Sequence, residues 1–228
     1  VSGLPADARI RVALVDDQAL FRSGLAMLIS SQSDLELVGE AGDGAEAIQL
    51  IDAVQPDVVL MDLRMPVMDG VQATARIVAA QESSGVETPR IVVLTTFRHD
   101  EAVVAALRAG ASGFILKDAT SDFVLEAIRT VHSGQAVIAP PMTRELLRQF
   151  GSTTPTAGAD VESLLGPLSP RERDIFLLAA KGLSNAEVAA SAFLGETTVK
   201  THMRSILAKL SLRDRVQLVV FAHEKGLV

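Results

Sequence analysis

The sequence predicts an α/β domain, a doubly wound sheet of five parallel strands, followed by a small all-α domain. Three observations carry this. Between Arg9 and Ser133, short branched apolar runs alternate five times with amphipathic helical stretches, the pattern of a parallel sheet covered on both faces. Gly151-Ser152-Thr153-Thr154-Pro155-Thr156-Ala157-Gly158-Ala159 is small, polar and patternless, as a flexible linker is. Beyond Leu168 the apolar period is helical throughout, at the spacing that puts one stripe on each helix.

In order, the predicted units are strand Ile10–Val15 with helix Ala19–Ser30, Leu35–Ala41 with Ala45–Val54, and Val58–Met61 with Val71–Gln81. Ile91–Thr95 with Asp100–Ala109 and Gly113–Leu116 with Ser121–Ser133 complete the sheet. Gly110 takes the C′ position after the fourth helix. Residues 82–89 read as a polar loop on the edge away from the strand C-termini. A short helix is expected over Thr143–Phe150. Ser169-Pro170-Arg171-Glu172 reads as a cap, a first-turn proline and first-turn acid, and Ser184 caps a second helix, Asn185–Ala192. Phe193-Leu194-Gly195-Glu196 is a turn, then helices Thr197–Leu210 and Asp214–Glu224 follow. Four short helices with a tight Gly-containing turn between the middle two fit a helix-turn-helix. The expected domains are 8–138, a linker with a short helix over 139–163, and 164–228.

The 228 residues are 48% hydrophobic and contain no Cys, Trp or Tyr. Disulfides, thiolate metal sites and thiol nucleophiles are therefore excluded. No apolar stretch would span a bilayer and no basic-then-apolar leader opens the chain, so a cytoplasmic protein without membrane contact is expected. The net charge of −7 is uneven: residues 163–228 carry +3 and the rest −10. Separate partners for the halves are expected, with nucleic acid for the basic one.

Strand C-termini of such a sheet open on one edge, where ligands bind. Asp16-Asp17, Asp62, Thr95 and Lys117 each end a predicted strand. Singly, each reads as a helix cap, a strand end or a solvated lysine. Together they make an oxygen cluster suited to Mg2+ or Mn2+, because crowded carboxylates repel one another without a cation. Asp62, ending the central strand, is the nucleophile a phosphoryl group would meet. Lys117 and the Thr95 hydroxyl would bind the phosphoryl oxygens.

In the helical half, Lys200, Thr201 and Arg204 share one polar face of the second helix of the motif, opposite Val199, Met203, Ile206, Leu207 and Leu210. Thr197 and Thr198 stand at its start, where a phosphate is welcome. Lys209 and Arg213 are candidate contacts to a nucleic-acid backbone.

Residues 10–133 resemble the receiver domain of two-component response regulators, a flavodoxin-like fold. The resemblance lies in Val15-Asp16-Asp17-Gln18, Leu60-Met61-Asp62-Leu63-Arg64-Met65-Pro66, Met68-Asp69-Gly70, Leu94-Thr95-Thr96 and Gly113-Phe114-Ile115-Leu116-Lys117. It implies phosphorylation of Asp62 by a sensor histidine kinase. Mg2+ would be held by Asp17, Asp62 and the Arg64 backbone carbonyl, with Asp16 acting mostly through water. Thr95 and Phe114 would respond as the switch. Residues 168–228 are similar to the LuxR-type DNA-binding domain of the NarL/FixJ response regulators. Here the match is carried by Leu168-Ser169-Pro170-Arg171-Glu172-Arg173, Gly182-Leu183-Ser184-Asn185-Ala186-Glu187-Val188-Ala189, Thr198-Val199-Lys200-Thr201-His202, Leu207-Ala208-Lys209-Leu210 and Arg213-Asp214-Arg215. That resemblance implies base-edge contacts from Lys200, Thr201 and Arg204, and dimerisation through the final helix with Val216, Val219 and Val220. It also implies promoter DNA with inverted half-sites, and a homodimer formed on phosphorylation.

Two departures stand out. Asp118 follows Lys117 where many receivers have proline, which leaves the isomer of that bond open. Ser191-Ala192-Phe193-Leu194-Gly195 lacks the family's usual basic residue and ends in a poor cap. The rival readings are a constitutive DNA-binding regulator with a silent receiver, an aspartyl-phosphate phosphatase and a flavin-binding module. A phosphatase would place an acid where Arg64 stands. The chain is read as no enzyme beyond slow self-dephosphorylation.

Overall fold

The computed structural model describes residues 9–84, 89–96, 101–134 and 164–228. The helix expected over Thr143–Phe150 and the Gly151–Ala159 linker lie outside them. The chain divides into two compact units, Val1–Val137 and Ile138–Val228.

The first unit runs β1 (Ile10–Val15), α1 (Ala19–Ser30), β2 (Leu35–Ala41), α2 (Gly44–Val54), β3 (Val58–Asp62), α3 (Gly70–Ser84), β4 (Arg90–Thr95), α4 (Glu101–Arg108), β5 (Gly113–Leu116) and α5 (Ser121–His132). All pairings are parallel, in the order β2-β1-β3-β4-β5. Successive side chains of a strand point to opposite faces, and the core divides accordingly. Val12, Leu14, Leu60, Leu94 and Ile115 pack against Leu25 and Ile29 of α1 and Leu125 and Ile128 of α5. Ala13, Val15, Val59 and Met61 pack against Ala47 and Ile51 of α2 and Ala73 and Ile77 of α3. Burial on both faces is why the inner strands read as continuous apolar runs rather than alternating ones. The chain reverses direction across the sheet between β1 and β3, so a crevice opens at their C-terminal ends.

Local chemistry sets the helix ends. Asp43 caps α2, accepting from Ala45 N at 2.7 Å and Glu46 N at 2.9 Å. Gly110 takes the left-handed conformation, φ 110°, and Ala111 N donates to Ala106 O at 2.9 Å, which closes α4. The expected ends shift by a residue or so in several elements. The one larger shift is α3, which runs to Ser84, beyond the expected end at Gln81. Glu82-Ser83-Ser84 is therefore helical and not part of a loop. None of these three residues breaks a helix, and the Ser83 hydroxyl donates to Ala79 O at 2.8 Å.

The second unit holds α6 (Pro170–Ala180), α7 (Asn185–Ala192), α8 (Glu196–Lys209) and α9 (Arg215–Glu224) among its described residues. Ser169 and Glu172 form a reciprocal capping box at α6, and Ser184 and Glu187 form another at α7; each box satisfies two N–H groups that the helix cannot. Phe176 is fully buried and meets Phe221 edge to face at 6.3 Å, surrounded by Ile175, Val199, Met203, Ile206 and Leu218. Phe193 ends α7 in the left-handed region at φ 54°, its side chain 95% exposed. No described helix is long and apolar enough to cross a membrane.

Candidate functional site

The crevice between β1 and β3 gathers the predicted acids. Asp16 and Asp62 are buried and Asp17 is exposed. One carboxylate oxygen from each lies within 4.8 Å of the others. Asp16 is turned into place by accepting from Gln18 N at 2.9 Å. Its other oxygen lies 2.7 Å from Lys117 Nζ. The same ammonium lies 2.8 Å from Asp62 Oδ2. Lys117 N donates to Thr95 O at 2.8 Å, so the last residue of β4 places the lysine that serves β1 and β3. Thr95 and Phe114 are both buried, at 3% and 2% exposure.

Burial pushes the Asp62 carboxyl above its usual range; Lys117 pulls it back, and Asp16 adds to the rise. Burial also acts to lower Lys117, but the hydrogen bonds its ammonium donates to Asp16 and Asp62 carry it above its ordinary value. Three carboxylates against one ammonium leave the crevice net negative. The donor set is all oxygen, so it fits a small divalent cation.

Close backbone packing fixes the loop beyond Asp62. A Cβ on Gly70 would stand 2.0 Å from Asp62 O, and Gly70 N donates to Leu63 O at 3.0 Å. Gly44 N donates to Met68 O at 3.1 Å, and a Cβ there would lie 2.7 Å from that oxygen. Val67 between them holds φ 65° with its side chain exposed. Among the described residues no peptide bond is cis, that of Lys117-Asp118 included.

Two residues were missed in the sequence. The Phe21 ring faces Lys117 Nζ at 4.9 Å, a cation–π contact. Arg22 donates to the Asp16 carbonyl and to Glu40 Oε2, the latter at 3.0 Å. The available signal was their place in the first turn of α1, directly after the acids.

In the second unit, Thr197, Thr198, Lys200, Thr201 and Arg204 are all exposed on α8, while Val199, Met203 and Ile206 are buried. The Thr201 hydroxyl donates to Thr197 O at 3.0 Å. Gly195 caps α8 without any side-chain bond. The Lys209 ammonium is held 2.6 Å from Oε2 of the buried Glu172, since a buried carboxylate demands a counter-charge. Arg213 is half-buried. Val216, Val219 and Val220 of α9 are 1%, 7% and 5% exposed.

Comparison with known proteins agrees with this geometry. Residues 12–129 match the family described as "Response regulator receiver domain". Residues 166–222 match "Bacterial regulatory proteins, luxR family". The transcriptional regulatory protein YxjL of Bacillus subtilis is 39% identical over 96% of this chain and 98% of its own length. The nitrate/nitrite response regulator NarL of Escherichia coli is 36% identical over 94% and 95%. Among solved structures, the response regulator ChrA of a heme-sensing two-component system is 32% identical, with a TM-score of 0.51 over 97% of this chain and 100% of that one. A receiver followed by a LuxR-type DNA-binding domain, with full-length relatives of the same plan, places this chain in the family of two-component response regulators that control transcription.

Proposed function

We propose that a sensor histidine kinase phosphorylates this protein on Asp62, and that phosphorylation shifts its pairing and its hold on promoter DNA. The observation that carries this reading is the single ammonium of Lys117 set between Asp16 and Asp62 beside a third carboxylate. In this reading the receiver spans 8–138, the linker 139–163 and the DNA-reading domain 164–228.

A carboxylate oxygen of Asp62 attacks the phosphorus of a phosphohistidine. A P–O bond forms as the P–N bond breaks, and the electron pair stays on the imidazole nitrogen. Lys117 and the Thr95 hydroxyl donate to the phosphoryl oxygens, where negative charge gathers. Asp16, Asp17, Asp62 and the Arg64 carbonyl would hold Mg2+ or Mn2+, which when bound offsets the charge of the carboxylates and the phosphoryl group. Lys117 then exchanges its carboxylate partners for the phosphoryl oxygens. Thr95 follows, and Phe114 behind it is the side chain that repacks. Water slowly hydrolyses the acyl phosphate, returning the Asp62 carboxylate and releasing inorganic phosphate, which suits a switch and not a turnover enzyme; Arg64 stands where a phosphatase would place its acid.

The output is a population shift, with weak DNA binding before phosphorylation. Lys200, Thr201 and Arg204 read base edges in the major groove, Thr197 and Thr198 meet the phosphate backbone, and two copies read inverted half-sites. The protein works in the cytoplasm.

The test treats the full chain with acetyl phosphate and Mg2+, then measures its mass in solution and its affinity for a duplex selected from a random library. The expected result is a dimer that binds that duplex more tightly. A phosphorylated chain with unchanged mass and affinity would show that the receiver does not govern output.

A further inference from the structure

Glu172 caps its own helix, but its carboxylate also reaches another. It is 4% exposed. Its Oε2 accepts from Ser169 N at 2.8 Å and from Lys209 Nζ at 2.6 Å. Its Oε1 accepts from the Ser205 hydroxyl at 2.6 Å. One carboxylate thus joins the start of α6 to two residues one turn apart in the second half of α8.

We infer that Glu172 is a positioning residue for base reading: through Ser205 and Lys209 it sets the rotation of α8, and so the aim of Lys200, Thr201 and Arg204. Lys209 is then its counter-ion and not a contact to DNA phosphate. The inference rests on the DNA-reading function proposed above.

At about 100° per residue, α8 has three sides. Val199, Met203 and Ile206 face the core. Lys200, Thr201 and Arg204 are exposed. Ser205 and Lys209 lie on the third side, toward Glu172. Apolar burial is non-directional and tolerates a small roll of a helix. Hydrogen bonds at 2.6 Å to both oxygens of one carboxylate do not. The first turn of α8 offers no such anchor, because Gly195 makes no side-chain cap. The rotation of the reading face is thus set from the far half of its helix. Removing Lys209 leaves the buried Glu172 carboxylate without its counter-charge, and removing Glu172 takes the anchor from both Ser205 and the exposed Lys209.

The test uses the full chain, a duplex selected from a random library by the wild type, and a shuffled duplex of the same composition. Affinity for both is measured across salt concentrations for wild type, Glu172→Gln, Ser205→Ala and Lys209→Met. Glu172→Gln is expected to lower the ratio of selected to shuffled affinity by about tenfold, the worth of one base contact. Ser205→Ala lowers it less, and affinity for the shuffled duplex holds. Lys209→Met lowers the ratio but leaves the salt slope of wild type. Glu172→Gln combined with Lys209→Met is no worse than either alone, as expected of one unit.

A salt slope reduced by about one ion in Lys209→Met would mark a phosphate contact and overturn the inference. So would a ratio unchanged in Ser205→Ala and Lys209→Met, which keeps the test decisive if Glu172→Gln does not fold. A wild-type chain that binds selected and shuffled duplexes alike would instead overturn the DNA-reading function. Lys200→Ala reads that function independently, because it removes a base contact and leaves the Glu172 cluster intact.

Discussion

Lys117 Nζ and Asp62 Oδ2 lie 2.8 Å apart although 55 residues separate them in the chain. Burial raises the pKa of the Asp62 carboxyl, and the pair works against that rise. Lys117→Met removes the group that lowers it, so the Asp62 pKa rises further. Phosphoryl uptake needs the ionised carboxylate, so its acid limb is expected to move to higher pH. Uptake should also slow by about a hundredfold at neutral pH, the order seen when one charge-stabilising donor is lost. The rate of phosphorylation by acetyl phosphate, measured from pH 5 to 8, checks both.

Gly70 governs the same site through the backbone. An added Cβ would stand 2.0 Å from the Asp62 carbonyl, and no rotamer relieves a backbone clash. Gly70→Ala is expected to destabilise the receiver by about 2 kcal/mol or more and to displace the Asp62 strand end. Urea unfolding of the full chain reads the first effect, and Mg2+ titration the second.

Much of this site was legible in the sequence because parallel topology turns strand ends into neighbours. Asp16, Asp17, Asp62, Thr95 and Lys117 each followed an apolar run, and β1, β3, β4 and β5 bring those ends to one edge. Phe21 was not legible, since an aromatic in the first turn of a helix reads equally as core or surface. The Glu172 partner of Lys209 was not legible for a related reason. A basic residue near a recognition helix suggests phosphate, and only the folded chain shows Glu172 beside it. The end of α3 was missed because Glu82, Ser83 and Ser84 are compatible with loop and helix alike.

Glu172 also gives the helical unit a pH dependence. Its pKa falls from 4.5 to about 2, chiefly through Lys209, then Ser205 and the Ser169 N–H. A pKa depressed on folding contributes stability that is complete above about 4.5 and lost as pH falls toward about 2. The difference in melting temperature between wild type and Glu172→Gln is expected to be largest near neutral pH. It should shrink across that window, as melts followed by circular dichroism would register.

Ser112 supplies a control outside both sites. It is fully buried, and its hydroxyl meets no hydrogen-bond partner among the described residues. A hydroxyl buried without a partner costs about 1–3 kcal/mol, so Ser112→Ala is expected to leave the receiver as stable or up to about 1 kcal/mol more stable. Urea midpoints measure it, and phosphoryl uptake should not change.

The central claim is that Asp62 takes the phosphoryl group. Intact-mass measurement of the chain after treatment with acetyl phosphate and Mg2+ tests it most directly. The wild type is expected to gain one phosphoryl group, and Asp62→Ala to gain none. A wild type of unchanged mass, or an Asp62→Ala chain that still gains the group, would contradict the account.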